Sequence, residues 1–349
     1  MSNAAPGQLP ESVRFLLDPA VYPHPVTAVE LVQTHISYVF LAGDFVYKMK
    51  KPVNFGFLDF STLAKRRHFC AEELRLNRRL CPEIYLAVPG LYRGGDDSLY
   101  LGTGAEQAEV GEPVEYLVKM ARMPEEGMMA GLLERGELGR VHLELIIDRL
   151  VPFYRQADGG PEIAALGSAE AVAVNVLENF DQTEGFVGGP ALSREQFEGI
   201  GAYARDFLKQ EELFAARQTA GRIREGHGDL YSANICFAPD RVHIFDCIEF
   251  NQRFRCCDIA SDIAFLAMDL DLHGQEQLAA FFVAEFARRA GDPELMALLP
   301  FYCCYRAYVR GKIGLFTAYA PEVDEATKAK SLELAARYFK LAERYARPA

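Results

Sequence analysis

The most informative absences in this 349-residue sequence concern positive charge and cysteine pairing. Lys and Arg number 37 against 49 Asp and Glu, and the net charge of -12 argues against nucleic-acid binding, because phosphate backbones are held by clustered basic side chains. The same charge is compatible with a cationic ligand or a ligand carried by metal ions. The eight cysteines include no C-x-x-C pair and no zinc-type spacing. Most lie in apolar surroundings, so we expect buried free thiols in a reducing compartment.

Signals for secretion and membrane insertion are also missing. The first residues, MSNAAPGQLPESVRF, contain no basic segment followed by an apolar core. No apolar run approaches the roughly 20 residues that a membrane span needs. We therefore expect a cytoplasmic protein that binds neither membranes nor nucleic acids. A G-x-x-x-x-G-K-[ST] stretch is absent as well, which excludes a Walker-type nucleotide site.

The first third of the chain has the pattern of an antiparallel sheet. An N-terminal extension, residues 1–26, holds one short predicted helix. Residues 27–120 contain short segments rich in β-branched and aromatic residues, and the pair Gly43-Asp44 between two of them predicts a hairpin. One helix, with Ser61 as its predicted cap, follows the third strand.

The rest of the chain, residues 121–349, has mainly helical periodicity. One island, residues 227–250, predicts two short strands joined by a turn at Pro239-Asp240. Together the two patterns predict an α+β, bilobal arrangement with a small sheet lobe and a larger helical lobe. Clefts between such lobes are common ligand sites.

The stretch EGHGDLYSANICF, residues 225–237, carries the chemistry. Asp229 and Asn234 precede one predicted strand of the island, and Asp246 follows the next. The hairpin pattern predicts that these three side chains lie close together. Carboxylate and amide oxygens suit Mg²⁺, which takes one or two protein ligands together with phosphate oxygens. A remaining carboxylate would accept the proton of an attacking hydroxyl.

The segments HGDL and IFDCIEF, with the spacing Asp229-x-x-x-x-Asn234, resemble the catalytic core of eukaryotic-kinase-like proteins. HGDL in place of HRDL is typical of their small-molecule branch, the aminoglycoside phosphotransferase-like family. The likeness to one bacterial subgroup runs from about residue 25 to residue 345. It implies that Asp229 orients the acceptor hydroxyl and that Asn234 (loop 227–234) and Asp246 (segment 244–250) bind Mg²⁺. His227 is a further candidate catalytic residue, with support of the loop as its favoured role.

The same resemblance implies a nucleotide-binding lysine and its glutamate partner in the sheet lobe. FVYKMK on the predicted third strand places the lysine at Lys48, with Lys50 as the alternative on the same face. The following helix offers Glu73, or less favourably Glu72, as the partner. Such an ion pair holds the lysine in place for binding the phosphates of ATP.

The glycine-rich loop of protein kinases is absent from the chain, and QTHISYVF stands in its place. Backbone amides of this turn, with the hydroxyl of Thr34 or Ser37, are the candidates for covering the phosphates. The adenine is expected near the connecting stretch of residues 116–127, which includes Met120.

Several acidic residues after the island have two open interpretations. Glu249 is either a second acid at the metal or an ion-pair partner of Arg253 or Arg255. Asp258 and Asp262 are spaced by one helical turn, and the resemblance implies that an Asp here anchors the catalytic loop. Capping of the helix N-terminus is also open to Asp258.

The helices near the C-terminal end hold candidate acceptor residues. Arg306 and Arg310 lie on one helical face, as an ion-paired surface or, alternatively, a clamp for an anionic substrate. Asp269 and Asp271 would instead suit an acceptor that bears an amine.

The functional expectation is an ATP- and Mg²⁺-dependent phosphotransferase that acts on a hydroxyl of a small molecule such as an aminoglycoside, amino alcohol or sugar. A protein kinase of the same fold is the first alternative, although no A-P-E-type activation segment is recognisable. A nucleotide-binding module without catalysis is the second. The sequence does not indicate the acceptor, the choice between ATP and GTP, or the oligomeric state.

Overall fold

The computed structural model describes residues 9–102, 111–239, 241–320 and 323–347. By their contacts, the residues form two compact units. Unit 1 comprises Met1–Glu125 and His243–Asn251, and unit 2 comprises Glu126–Val242 and Gln252–Ala349. The segment that includes Asp246 therefore groups with the sheet, whereas the sequence pattern assigned it to the helical lobe.

Unit 1 contains a seven-stranded antiparallel sheet in the order β1-β2-β3-β7-β5-β6, with β4 beside β7. Its elements are α1 (Glu11–Leu16), β1 (Val29–Gln33), β2 (Ser37–Ala42), β3 (Phe45–Lys50), α2 (Leu63–Asn77), β4 (Tyr85–Ala87), β5 (Gly90–Arg93), β6 (Leu99–Leu101) and β7 (Glu112–Ala121), with a 3₁₀ turn at Pro19–Val21. The ten residues of β7 pair with three strands and so hold the sheet together.

The hairpin predicted at Gly43-Asp44 is present and sets the register of β3 against β2. Gly43 has φ +60°, and a Cβ there would lie 2.8 Å from the carbonyl oxygen of Pro25. A side chain at this position would therefore be both strained and crowded. The turn pairs Ala42 with Phe45 and, along the strands, Val39 with Lys48.

Helix α2 begins one residue later than the sequence pattern predicts. Thr62, rather than Ser61, is the cap, and its hydroxyl accepts a hydrogen bond from the backbone N–H of Lys65. Neighbouring Ser and Thr residues are both competent caps, and only the chain path decides between them. The buried face of α2 carries Glu73 and Asn77, so the helix presents polar groups toward the interior of unit 1.

Unit 1 has two apolar clusters, one that includes the N-terminal helix and one that includes Cys70 of α2 and Val118 of β7. Val13 and Leu16 of α1 are fully buried with Phe40 of β2 and Leu117 of β7. Each fully buried side chain of this size stabilises the fold by roughly 1.5–3 kcal/mol. The first helix is therefore part of the packed core.

Unit 2 consists mainly of helices. They are α3 (Met129–Glu134), α4 (Arg140–Gln156), α5 (Pro161–Ala165), α6 (Ala169–Thr183), α7 (Arg194–Phe207), α8 (Glu211–Thr219), α9 (Gln252–Arg255), α10 (Ile259–Leu272), α11 (Glu276–Ala290), α12 (Leu295–Ala318) and α13 (Glu325–Ala346), with 3₁₀ turns at Glu125–Gly127, Glu184–Phe186 and Ser232–Asn234. Helix α10 is buried along almost its whole length and packs against α11 and α12, while α12 packs against α13.

Four short strands accompany these helices. β8 (Ile223–Glu225) pairs with β11 (Cys256–Asp258), and β9 (Ile235–Ala238) pairs with β10 (Arg241–Ile244). The second pair is the predicted hairpin, although Asp240 of its turn lies outside the described residues. β10 ends at Ile244, so Asp246 follows the strand, as expected. The first pair was not predicted, because three-residue strands carry no measurable periodicity.

These elements confirm the α+β class, with an antiparallel sheet followed by a mainly helical part. All eight cysteines are free, and seven of them are buried, as predicted. None of the helices in the described parts of the chain combines the length and the apolar character needed to cross a membrane.

Candidate active site

The two lysines of β3 lie on one face of the strand and share a single glutamate. Lys48 Nζ lies 2.9 Å from Oε1 of Glu73, and Lys50 Nζ lies 2.6 Å from Oε2 of the same side chain. Residues i and i+2 of a strand point to the same side, so the spacing in FVYKMK produces this double contact. The ion pair predicted between Lys48 and Glu73 is present, and Glu72 instead pairs with Arg75 of its own helix.

The two lysines differ in what else they contact. Lys48 is 15% exposed, and its Nζ lies 2.6 Å from Oδ1 of Asp246. Lys50 is 1% exposed and pairs with Glu249. Only Lys48 therefore retains access to solvent beside the proposed metal residue, which favours it over Lys50 as the lysine that would bind phosphate.

Lys48, Lys50 and Glu73 hold one another in the ionised form. Burial alone would lower the pKa of Lys48, but the carboxylates of Asp246 and Glu73 outweigh burial and raise it well above its ordinary value. Burial would raise the pKa of Glu73, but Lys48 and Lys50 outweigh burial and lower it to about 2. Buried charges persist only when they are paired in this way.

Glu249 has a partner that the sequence did not suggest, because its carboxylate pairs with Lys50 of β3. Arg253 contacts Glu178, and Arg255 contacts Glu225. Glu249 is 5% exposed. It lies at the interior end of a chain of alternating charges that runs from Asp246 through Lys48, Glu73 and Lys50.

Asp246 is held in an unusual backbone conformation by its neighbours. Its φ is +63°, which is uncommon for a residue other than glycine. The hydroxyl of Tyr85 accepts a hydrogen bond from its backbone N–H, and Oδ1 of Asn77 accepts one from the N–H of Cys247. Such strained residues are concentrated at functional sites. These bonds aim the Asp246 side chain, 42% exposed, back toward Lys48.

In unit 2, the stretch that contains Asp229 is anchored by Asp262 of α10. The backbone N–H groups of His227 and Gly228 donate to the two carboxylate oxygens of Asp262, at 2.7 and 2.9 Å. Tyr154 of α4 donates to the same carboxylate. The anchoring role implied for an Asp at this helix thus falls to Asp262. Asp258 caps α10 by accepting from the N–H of Ala260.

His227 is fully buried, and its ring supports the loop. Its Nδ1 accepts a hydrogen bond from the backbone N–H of Asp229, at 3.2 Å. Gly228, with φ +84°, provides the backbone turn between these residues. The geometry fits the supporting role for His227, while a direct catalytic role stays a prediction.

Asn234 orients the carboxylate of Asp229. Its Nδ2 donates to the backbone oxygen of Asp229 at 2.9 Å and to Oδ2 at 3.0 Å. Because both amide hydrogens are engaged, the side-chain oxygen of Asn234 remains as an acceptor. The spacing D-x-x-x-x-N therefore produces one fixed carboxylate and one available oxygen, which are hard donors of the kind that Mg²⁺ takes.

Asp269 and Asp271, which were considered for an amine-bearing acceptor, both have partners in the chain. Asp269 is 2% exposed and accepts from the backbone N–H of Ser232 in the loop 227–234. Asp271 pairs with Arg344 and accepts from the hydroxyl of Tyr345. Both carboxylates thus have partners within the chain.

The turn at residues 34–37, which was expected to cover the phosphates, binds its own backbone N–H groups through a side-chain hydroxyl. Oγ1 of Thr34 accepts from the backbone N–H groups of Ile36 and Ser37, at 3.3 and 2.9 Å. Ser37 is fully buried at the start of β2, so its hydroxyl does not face solvent as a phosphate ligand would. Met120 of β7 is partly buried opposite Val46 of β3. Its place beside the adenine stays a prediction.

Asn234 belongs to unit 2 and Asp246 to unit 1, so their joint use of one metal ion also stays a prediction. Across the described stretches, no group of three or more His, Cys, Asp or Glu side chains could hold a metal ion by itself. A site with two protein oxygens completed by phosphate is of a different kind.

The residues that sequence analysis missed are Asn77 and Tyr85. Asn77 lies one helical turn after Glu73, which is a signal that was available.

No protein-family model matches the chain. Curated relatives include uncharacterized proteins of Mycobacterium tuberculosis and Mycobacterium bovis, each 33% identical over 298 residues, or 83% of this chain. The chain spans only about half the length, 56%, of these relatives.

Similar solved structures include three kinases of small molecules. They are an ethanolamine kinase of Plasmodium vivax (10% identity, 88% of this chain and 81% of the other, TM-score 0.48), a choline kinase of Cryptosporidium parvum (9%, 90% and 89%, 0.49) and an amicoumacin kinase in complex with AMP-PNP, Ca²⁺ and Ami (14%, 90% and 88%, 0.48). At these identities, conclusions about chemistry depend on the side chains of this chain itself.

Proposed function

We propose that the chain is a phosphotransferase that moves the γ-phosphate of ATP to a hydroxyl of a small molecule in the presence of Mg²⁺. The observation that carries the proposal is the position of Lys48 between Glu73 of α2 and Asp246. Three distant parts of the sequence meet at this lysine. A lysine fixed between a helix glutamate and an exposed aspartate is the arrangement that kinases use for nucleotide phosphates.

The proposed chemistry assigns each group a separate task. Lys48 would bind the α and β phosphates, and Glu73 would keep its ammonium group in place. Asp229, oriented by Asn234, would accept a hydrogen bond from the acceptor hydroxyl and align it for attack. The free oxygen of Asn234 and the carboxylate of Asp246 would hold Mg²⁺. When bound, Mg²⁺ would neutralise charge on the transferred phosphoryl group.

The test is phosphoryl transfer from labelled ATP to a fractionated small-molecule extract, with and without Mg²⁺. We expect one fraction to take up label in a Mg²⁺-dependent manner. Asp229→Asn should lower kcat by at least about 100-fold while ATP still binds, because the Asn234 contact can be kept when the charge is lost. Asp181→Asn, at an exposed position of α6, is the matched control and should retain activity.

A second variant separates nucleotide binding from catalysis. Lys48→Met should raise the KM for ATP by about 10-fold or more, because a charge-assisted contact is lost. Lys65→Met, at an exposed lysine of the same unit, is its control. ATP binding without transfer to any acceptor would favour the nucleotide-binding module. Label on protein substrates alone would favour the protein kinase.

A further inference from the structure

Arg310 of α12 is half-buried and, unlike the buried arginines of the described residues, lacks a carboxylate partner. Among the residues that the structure describes, no carboxylate lies within ion-pair distance of its guanidinium, and its Nε is buried without a hydrogen-bond partner. The buried arginines each face an acid, in the pairs Arg66–Glu115, Arg217–Asp258, Arg255–Glu225 and Arg306–Asp262. A largely desolvated cation without a directly paired carboxylate is costly, which suggests that a ligand supplies the paired anion.

The position of Arg310 relates it to the catalytic loop. Its guanidinium carbon lies 4.6 Å from the ring centre of Tyr231, which follows Asp229 by two residues. The Tyr231 ring in turn stacks on Phe265 of α10 at 5.4 Å. On the other side, Tyr338 of α13 lies 5.7 Å from Arg310. These aromatic faces hold the guanidinium in a fixed place beside the loop.

The neighbouring arginine, Arg306, differs from Arg310 in what its guanidinium binds. Arg306, one turn earlier on α12, donates to the backbone oxygen of Gly228 at 2.9 Å and to Ser261 at 3.2 Å. It is therefore used in supporting the catalytic loop. Arg310 contacts the face of Tyr231 and hydrogen-bonds with Tyr338, and none of its donors pairs with a carboxylate of the described residues.

Electrostatics place Arg310 within the influence of the proposed catalytic carboxylate. Burial alone would lower the pKa of Arg310, but the hydroxyls of Tyr231 and Tyr338 and the carboxylate of Asp229 outweigh burial and raise it. Arg310 thus stays charged. The carboxylates considered for binding an amine, Asp269 and Asp271, already have partners in the chain. The guanidinium of Arg310 is therefore the charged group beside Tyr231 that a ligand would meet.

We propose that Arg310 binds an anionic group of the acceptor, a carboxylate or a phosphate ester, and so selects anionic hydroxy compounds over neutral or cationic ones. This inference rests on the proposed phosphotransfer to a hydroxyl. A guanidinium held on an aromatic face can donate two parallel hydrogen bonds to such a group, which adds specificity as well as affinity.

The experiment compares acceptors that differ mainly in an anionic group: glycerol with glycerate, ethanolamine with serine, and glucose with glucose 6-phosphate. We expect wild-type protein to phosphorylate at least one anionic member with a kcat/KM about 10- to 100-fold above its neutral or cationic partner. The pairs with glycerate and serine test a carboxylate as the anionic group, and the pair with glucose 6-phosphate tests a phosphate ester. In Arg310→Gln, the KM of the anionic acceptor should rise by a similar factor, with the KM for ATP unchanged.

Arg310→Lys retains the charge and should restore part of the affinity, whereas a purely structural role would not respond to the charge. Arg337→Gln, at an arginine on α13 that bonds the backbone oxygen of Leu272, is the control and should behave as wild type. A preference for neutral or cationic acceptors would overturn the inference and leave the phosphotransferase intact. A rise confined to the KM for ATP would also overturn it, since Arg310 would then bind the nucleotide.

If no acceptor is phosphorylated, the proposed function fails, and binding still tests Arg310. Glycerate and glucose 6-phosphate, added with ADP and Mg²⁺, should raise the melting temperature of wild-type protein more than glycerol and glucose do. The difference should vanish in Arg310→Gln and persist in Arg337→Gln. Equal shifts in wild-type protein and Arg310→Gln would refute an anion site at this residue.

Discussion

Removal of the ion pair between Lys50 and Glu249 tests how unit 1 holds its internal charges. The side chains of Lys50 and Glu249 are 1% and 5% exposed, and Glu73, which also contacts Lys50, is fully buried. We consider Lys50→Met, Glu249→Gln and the double variant. Each single change leaves a buried charge with fewer counter-charges, while the double change removes one charge of each sign.

The expected magnitudes follow from the distances and the charge balance. At the 2.6 Å separating Lys50 from Glu73, two unit charges attract by about 6 kcal/mol with an effective dielectric constant of ~20. Desolvation offsets most of that attraction in the intact protein, but not when one partner is removed. The buried set Lys48, Lys50, Glu73 and Glu249 has net charge zero. Either single variant should therefore lose about 3–5 kcal/mol and the double variant only about 1 kcal/mol.

Urea unfolding followed by circular dichroism at neutral pH measures these differences. The exposed pair Lys65 and Asp59 of the same unit is the control, and Lys65→Met should cost less than about 1 kcal/mol. A double variant that loses the sum of the two single losses would show that Lys50 and Glu249 are not coupled, and the charge-balance reasoning would be wrong.

Three further perturbations test the helical unit. Asp262→Asn should weaken the anchoring of the catalytic loop and lower kcat by about 10-fold or more at unchanged KM for ATP, as steady-state kinetics would show; unchanged kcat would exclude an anchoring role. Gly228→Ala places a Cβ 3.0 Å from the carbonyl oxygen of Phe254 at φ +84° and should cost at least about 1–2 kcal/mol in calorimetry, and a neutral effect would contradict the strain. Burial lowers the pKa of Lys312 from 10.5 to about 8, so its charge destabilises the fold below pH 8 and ceases to do so above pH 10.5. In urea unfolding, Lys312→Met should therefore have a higher free energy of unfolding than wild type at pH 7 and a smaller excess at pH 10. An excess that does not depend on pH would refute the lowered pKa of Lys312.

Sequence spacing was sufficient for the contacts that a single element or loop defines. The position of Lys48 and Lys50 on one face of β3 follows from the two-residue period of a strand, and the closeness of Asn234 to Asp229 follows from their five-residue spacing. The hairpin at Gly43 followed from its turn residues. Each of these predictions depends on neighbours in sequence, where geometry leaves few options.

Contacts between distant segments could not be predicted in the same way. Glu249 is 199 residues from Lys50, and three nearer basic or metal partners were equally plausible from the sequence. The buried positions of Ser37 and Asp269 likewise depend on which helix or strand packs against them. Charge type alone does not distinguish a carboxylate that anchors a loop from one that binds a ligand, because both are acids near the same motif.

The charge balance of unit 1 explains why Asp246, rather than Glu73 or Glu249, is the acid suited to a cation. Lys48, Lys50, Glu73 and Glu249 neutralise one another in the interior, and any cation added there would leave a buried excess charge. Asp246 is the fifth member, adds the only unbalanced charge of the cluster, and is the one with substantial access to solvent. A cation at Asp246 would release Lys48 from its carboxylate, and a phosphate group would then take the place of that carboxylate as the partner of the lysine. Lys48 would keep an anionic partner in both states, so the buried set need not change for the exposed end to exchange its partners.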